Sequence, residues 1–113
     1  MKFVPDREAA RWLASLAGKP REFDWDQGNA TKNEKHGLTP TDVESLLQHD
    51  FVLAGRITEP AHEEPRWLLL GCSNGGRLLA LVFTRRGDKL RPISCRSMRK
   101  NERKIHDEST AKD

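Results

Sequence analysis

Histidine and arginine are the residues in this sequence with the most chemistry to offer. Histidine exchanges protons near neutral pH, and arginine grips phosphate oxygens through a two-pronged fork. The chain has four histidines, His36, His49, His62 and His106. Its arginines recur where strand-like segments begin and end: Arg66 and Arg77 each open one, Arg85 and Arg86 stand at a turn, and Arg91 and Arg96 follow on the next segment. These types suit the cleavage of a phosphodiester beside a ribose hydroxyl. A base removes the 2′-hydroxyl proton, a cation steadies the charged phosphorane, and an acid protonates the departing 5′-oxygen. A sheet rimmed by arginines is a platform for that charge, although strand ends also carry arginine for solubility alone.

Other chemistries find less to work with. Asp24 and Asp26 share a strand face, and His62-Glu63-Glu64 forms a cluster in a proline-bracketed loop. Neither has the spacing of a known metal set, such as two histidines and an acid on one helix, and the loop cluster reads as solvated. There is no glycine-rich phosphate loop and no serine in a nucleophile elbow. Cys72 and Cys95 lie in apolar, strand-like segments and read as reduced core thiols, too few for a disulfide framework or a thiolate metal site. No metal and no cofactor is expected.

Charge placement points the same way as the arginines. The chain carries a net charge of only +3, yet between Arg85 and Lys104 nine basic residues face two acidic ones, a net +7 that leaves −4 for the remainder. Such asymmetry favours a polyanionic partner, with a solvated surface balanced by acids elsewhere as the plain alternative. At 113 residues the chain has room for one modest core. Hydrophobic residues at 35%, charged residues at 33% and a mean hydropathy of −0.77 predict that core to be thin under a charged surface. The longest uncharged apolar run, Leu78 to Phe83, is too short to span a bilayer, and Met1 to Asp6 shows no cleavable-signal pattern. A cytoplasmic protein without membrane contact is therefore expected.

Several elements must position these residues. Ala9, Trp12, Leu13, Leu16 and Ala17 form an apolar stripe on a helix from Arg7 to Ala17, capped by Asp6 and stopped by Gly18 and Pro20. Phe23-Asp24-Trp25 reads as a short strand. Asp26 then caps a polar helix through His36, ended by Gly37, with Asn29, Asn33 and His36 on one side. Thr39-Pro40-Thr41-Asp42 opens a third helix whose buried stripe is Val43, Leu46 and Leu47. From Phe51 the period changes to that of strands: Phe51 to Ile57, Arg66 to Gly71, Arg77 to Thr84 and Lys89 to Arg96. Turn chemistry at Asn74-Gly75-Gly76 and Arg86-Gly87-Asp88 predicts an antiparallel meander. Leu78 to Phe83, apolar at both parities, is expected to be its central strand, and Pro92 marks an edge strand or a bulge. A last basic helix, capped by Ser97, is expected to run to about Glu108 and to be held by Met98 and Ile105.

Three stretches in this order resemble the BrnT toxin family. Phe23 to Leu38, FDWDQGNATKNEKHGL, is similar to that family's Trp-Asp pair, asparagine-bearing helix and Lys-His-Gly end. Arg66 to Thr84, RWLLLGCSNGGRLLALVFT, is similar to its Arg-x-x-x-x-Gly strand, Gly-Arg turn and apolar strand. Arg86 to Glu108, RGDKLRPISCRSMRKNERKIHDE, is similar to its Ile-Ser-x-Arg strand and Glu-Arg helix. The helix at 1–20 lies outside the resemblance. The family's last helix often ends in tyrosine, whereas this chain has none and carries His106 there.

The resemblance implies a RelE-like α+β fold: a small antiparallel sheet of three to five strands packed with helices. It implies an endoribonuclease that arrests translation, RNA as substrate, a BrnA-like antitoxin, and operator DNA reached only through that antitoxin. A homo-oligomer is possible on this reading. Its site residues map onto Lys35, His36, Arg66, Arg77 and Arg96. His36 is the candidate base or acid, with His106 as a second, Arg66 and Arg96 steady phosphate charge, and Lys35 holds substrate or biases the histidine. Arg77, Arg85, Arg86, Arg91 and Arg99 are the candidate RNA contacts. From the residues alone, a histidine before a helix-ending glycine serves as well to bond the last carbonyls. The expected division is an accessory helix at 1–20, the BrnT-like domain at 21–108 and a disordered tail at 109–113. A catalytically inactive RelE-like module that binds protein or nucleic acid is the competing reading.

Overall fold

The structure is a computed structural model, and it describes residues 1–16 and 22–110. Five strands form one antiparallel sheet in chain order: β1 (Lys2–Val4), β2 (Phe51–Glu59), β3 (Trp67–Cys72), β4 (Leu78–Arg86) and β5 (Lys89–Ser97). Among the described residues four α-helices accompany it: α1 (Arg7–Ser15), α2 (Gln27–Ala30), α3 (Pro40–Ser45) and α4 (Lys100–Thr110). Single 3₁₀ turns occupy Glu34–His36 and Leu46–Gln48. The α+β class and the antiparallel meander expected from the sequence are what the chain adopts.

The sheet has a core on each face. One is built of Leu69, Leu79, Leu81 and Phe83 under Leu13 of α1 and Val43 of α3. The other is built of Ile57, Leu68, Leu70, Ala80 and Val82, covered by Met98 and Ile105. Both β3 and β4 are buried on both sides, as the apolar run of β4 predicted. The middle strand is nevertheless β3, because the short strand β1 adds to the far edge of β2. Gly55 makes that addition possible: its φ is +152°, and a Cβ there would stand 2.2 Å from the Val4 carbonyl oxygen. Asp6 caps α1 and also accepts the Trp67 indole N–H at 2.8 Å, tying the N-terminal segment to the sheet. Of the expected stop signals, Gly18 and Pro20 lie outside the described residues, as does Ala17.

Three local expectations needed correction: the polar helix, the short strand at Phe23-Asp24-Trp25 and the Ser97 cap of the last helix. The polar helix through His36 is not continuous; it breaks after Ala30 and resumes as a 3₁₀ turn. Without an apolar face nothing holds it by packing, and its two inward asparagines bond a strand instead. Asn29 Nδ2 donates to the carbonyls of Asp24 and Pro92, both at 2.9 Å, and Asn33 Oδ1 accepts the Cys95 N–H at 3.1 Å. Pro92 does stand on an edge strand, and the β4–β5 register shifts beside it. Phe23 makes only an isolated bridge to Leu90 in place of a strand, again along the open edge of β5. These asparagines and this bridge satisfy the edge that Pro92 disrupts. The last helix begins at Lys100, and its buried residues are Glu102 and His106, with Ile105 only partly covered.

Candidate functional site

The β3–β4 turn and the end of β5 bring chain segments far apart in sequence to one end of the sheet. There Gly37, in the left-handed conformation at φ +71°, stops the Glu34–His36 turn and turns its carbonyls outward. Arg77, the last residue before β4, donates from Nη1 to the His36 carbonyl at 3.3 Å and lies 3.5 Å from that of Gly37. Lys35, His36 and Arg77 are all exposed, so this turn offers two cations and an imidazole to solvent at one place.

Arg96 closes the same end from β5. Its guanidinium forms a two-pronged pair with Glu102 of α4, at 2.7 and 2.9 Å, and also donates to the Ser97 carbonyl. Glu102 is 2% exposed and takes a third bond, from the Arg99 backbone N–H at 2.7 Å. Burial alone would raise the pKa of Glu102; the Arg96 hydrogen bonds, the Arg99 N–H and the charges of both arginines outweigh it and hold the carboxyl below its usual range. The same bonds raise Arg96 further. Cys95 sits between these groups: burial pushes its thiol up to about 12, with the charges of Arg77 and Arg96 drawing it partly back. Such a thiol is inert, in keeping with its reading as a core residue.

The remaining arginines expected to contact substrate lie elsewhere. Because β3 and β4 run antiparallel, the residues that precede them stand at opposite ends of the sheet. Six residues of strand place Arg66 about 20 Å from Arg77. Near Arg66 is Arg86, which pairs with Asp24 and Glu64; Arg85 lies 4.6 Å over the ring of Trp12. Arg91 holds Asp26 at 2.8 Å and Asp24 at 3.6 Å. The two aspartates expected to share a strand face lie outside any strand and are partners of one arginine. Asp26 is kept below its usual pKa by the Asn29 backbone N–H and by Arg91. The structure therefore joins His36 and Arg77, puts Lys35, Arg96 and Arg99 at the same end of the sheet with Arg96 held by Glu102 of α4, and leaves Arg66, Arg85, Arg86 and Arg91 at the other. His106, the second base or acid candidate, is 7% exposed and lines a separate recess. Sequence reasoning passed over Glu102, whose only sequence signal was its place in the Glu-Arg segment after Arg96.

A family model described as the ribonuclease toxin BrnT of a type II toxin–antitoxin system matches residues 25–102. This chain belongs to the BrnT family. No curated protein matches it. The matched span contains Lys35, His36, Arg66, Arg77, Arg96, Arg99 and Glu102, and excludes β1, α1 and His106. BrnT proteins, as that description has it, are ribonuclease toxins of type II systems, which brings an RNA target and an antitoxin partner with it. No described helix of this BrnT-family chain is long and apolar enough to cross a membrane.

Proposed function

We propose that the chain is a metal-independent endoribonuclease toxin acting in the cytoplasm, neutralised by a BrnA-like antitoxin, and that the Lys35-His36/Arg77 end of the sheet is its active site. The 3.3 Å contact from Arg77 to the His36 backbone carbonyl supports this reading, because it brings a phosphate-binding cation to the residue that carries the proton-exchanging ring. His36 takes the 2′-hydroxyl proton, the 2′-oxygen forms a bond to phosphorus, and the bond to the 5′-oxygen breaks. The products are a 2′,3′-cyclic phosphate and a 5′-hydroxyl end. Arg77, Arg96 and Arg99 stabilise the phosphorane charge, and Lys35 holds the substrate or protonates the leaving oxygen. Cleavage of translated RNA stops protein synthesis, and the antitoxin, which carries the contact to operator DNA, covers this exposed end.

The test is RNA cleavage in EDTA. The unmutated protein is expected to leave cyclic-phosphate ends, and His36→Ala or Arg77→Ala to lose roughly a hundredfold or more in rate. A protein that binds an antitoxin yet cuts no RNA, with or without ribosomes, removes the enzymatic claim. One observation favours a second reading, a binding module without catalysis: Arg96 already spends three of its five donors on Glu102 and Ser97.

A further inference from the structure

A second recess, of about 540 Å³, opens between α4, the β3–β4 turn and the loop before β2. His106 of α4, His49 of the loop and Asn74 of the turn line it. His106 is buried, and among the described residues neither of its ring nitrogens has a hydrogen-bond partner; the Asp107 carboxylate lies 3.7 Å from Nδ1. A buried polar ring left unsatisfied in a native fold calls for a partner that binds there. Beside it, His49 Nε2 and Asn74 Oδ1 meet at 2.6 Å. That contact fixes the amide and leaves its Nδ2 donors unused among the described residues.

We infer that this recess is a nucleobase subsite, read by His106 and Asn74, for the nucleotide next to the scissile phosphate; it rests on the ribonuclease reading above. Three observations carry it. Gly76 lines the recess and Arg77 is the very next residue, so an RNA whose phosphate lies on Arg77 has its neighbouring nucleotide at this opening. Among the described residues the lining includes no lysine or arginine and does include Asp50, which disfavours a phosphate and leaves an uncharged base as the occupant. A neutral imidazole offers one donor and one acceptor, and the amide adds donors, which matches the mixed edges by which single-stranded RNA is read. Both imidazole nitrogens are closed off from solvent, so docking turns the ring about its soft χ2 torsion.

The experiment titrates the full chain, labelled with ¹⁵N, with each of the four ribonucleoside 3′-monophosphates and follows the His106 ring nitrogens by NMR. The expected result is a saturable shift, with affinities that differ roughly tenfold between the best and worst base. His106→Leu and Asn74→Ala are expected to shrink that spread to within about twofold, while Arg77→Ala weakens all four alike. Ring signals that no nucleotide moves, equal affinities, or a spread that survives His106→Leu each overturn the subsite. So does a His106 shift produced by the antitoxin and by no nucleotide. Leucine removes an orphaned polar group, so that variant is expected to melt no lower than the parent; if it fails to fold, Asn74→Ala decides. Since the readout is binding, base-dependent shifts in a chain that cuts no RNA keep the subsite and sink only the ribonuclease reading.

Discussion

The Arg96–Glu102 pair ties α4 to the end of β5, and cutting it from one side is expected to be costly. Glu102→Ala removes both prongs to Arg96 and the bond from the Arg99 N–H, and leaves a guanidinium that is 24% exposed without its counter-charge. Breaking a buried pair in this way costs about 3–5 kcal/mol; the partial exposure of Arg96 places the expectation near the lower limit, about 3 kcal/mol. For a domain of this length that lowers the melting temperature by roughly 12 °C. The assay is urea unfolding of the parent, Glu102→Ala, and the cycle formed by Glu102→Leu, Arg96→Met and the double variant Arg96→Met/Glu102→Leu. The double variant is expected to lose less than the two single losses added, because an apolar pair leaves no orphaned charge. A Glu102→Ala loss below about 1 kcal/mol, or strict additivity in the cycle, refutes the claim that this pair holds the helix.

Asn29→Ala removes bonds to the carbonyls of Asp24 and of Pro92 on edge strand β5 and the side-chain acceptor of the Asp26 N–H, so it is expected to cost about 2–3 kcal/mol in urea unfolding. Gly55→Ala is expected to displace β1 from the sheet, seen as loss of hydrogen-exchange protection at the amides it holds there, since its Cβ has no room beside Val4. Asp6, Asp42 and Glu102 all have folded-state pKa values below their unfolded ones: Asp6 chiefly through the Trp67 N–H, Asp42 chiefly through the Thr39 N–H, and Glu102 through Arg96 and Arg99 against the opposing effect of burial. Their stabilisation is complete above the unfolded values, about pH 4, and is lost as pH falls through the folded ones. The urea midpoint is therefore expected to be flat from pH 7 to about 5 and to drop below pH 4, less steeply in Asp6→Asn.

The parts of the fold that were legible in the sequence are those set by local rules. The capping box at Thr39 and Asp42 and the cap at Asp26 appear as expected. So do the glycine-bearing hairpin turns, because each depends on residues within one turn of chain. The candidate site was legible only in part. His36 and Arg77 were recognisable by type and by family pattern, yet their adjacency was not, since 41 residues separate them. Asn29 and Asn33 were visible as one face of a polar segment, but not as the caps of an irregular edge strand 62 and 63 residues away. The burial of His106 was not legible, because α4 has so few apolar residues to mark its buried side.

What the sequence alone determined is the α+β class, the antiparallel meander, the edge role of Pro92 and a basic C-terminal third. Periodicity, turn chemistry and charge are local quantities, and short loops leave antiparallel pairing as the only option. What only the tertiary structure decided is which arginines act together. Alternate strands run in opposite directions, so residues that each precede a strand, such as Arg66 and Arg77, are sent to opposite ends of the sheet. Residues distant in sequence, such as His36 and Arg77, or Arg96 and Glu102, become partners because the packing of turns and of α4 against the sheet brings them within reach.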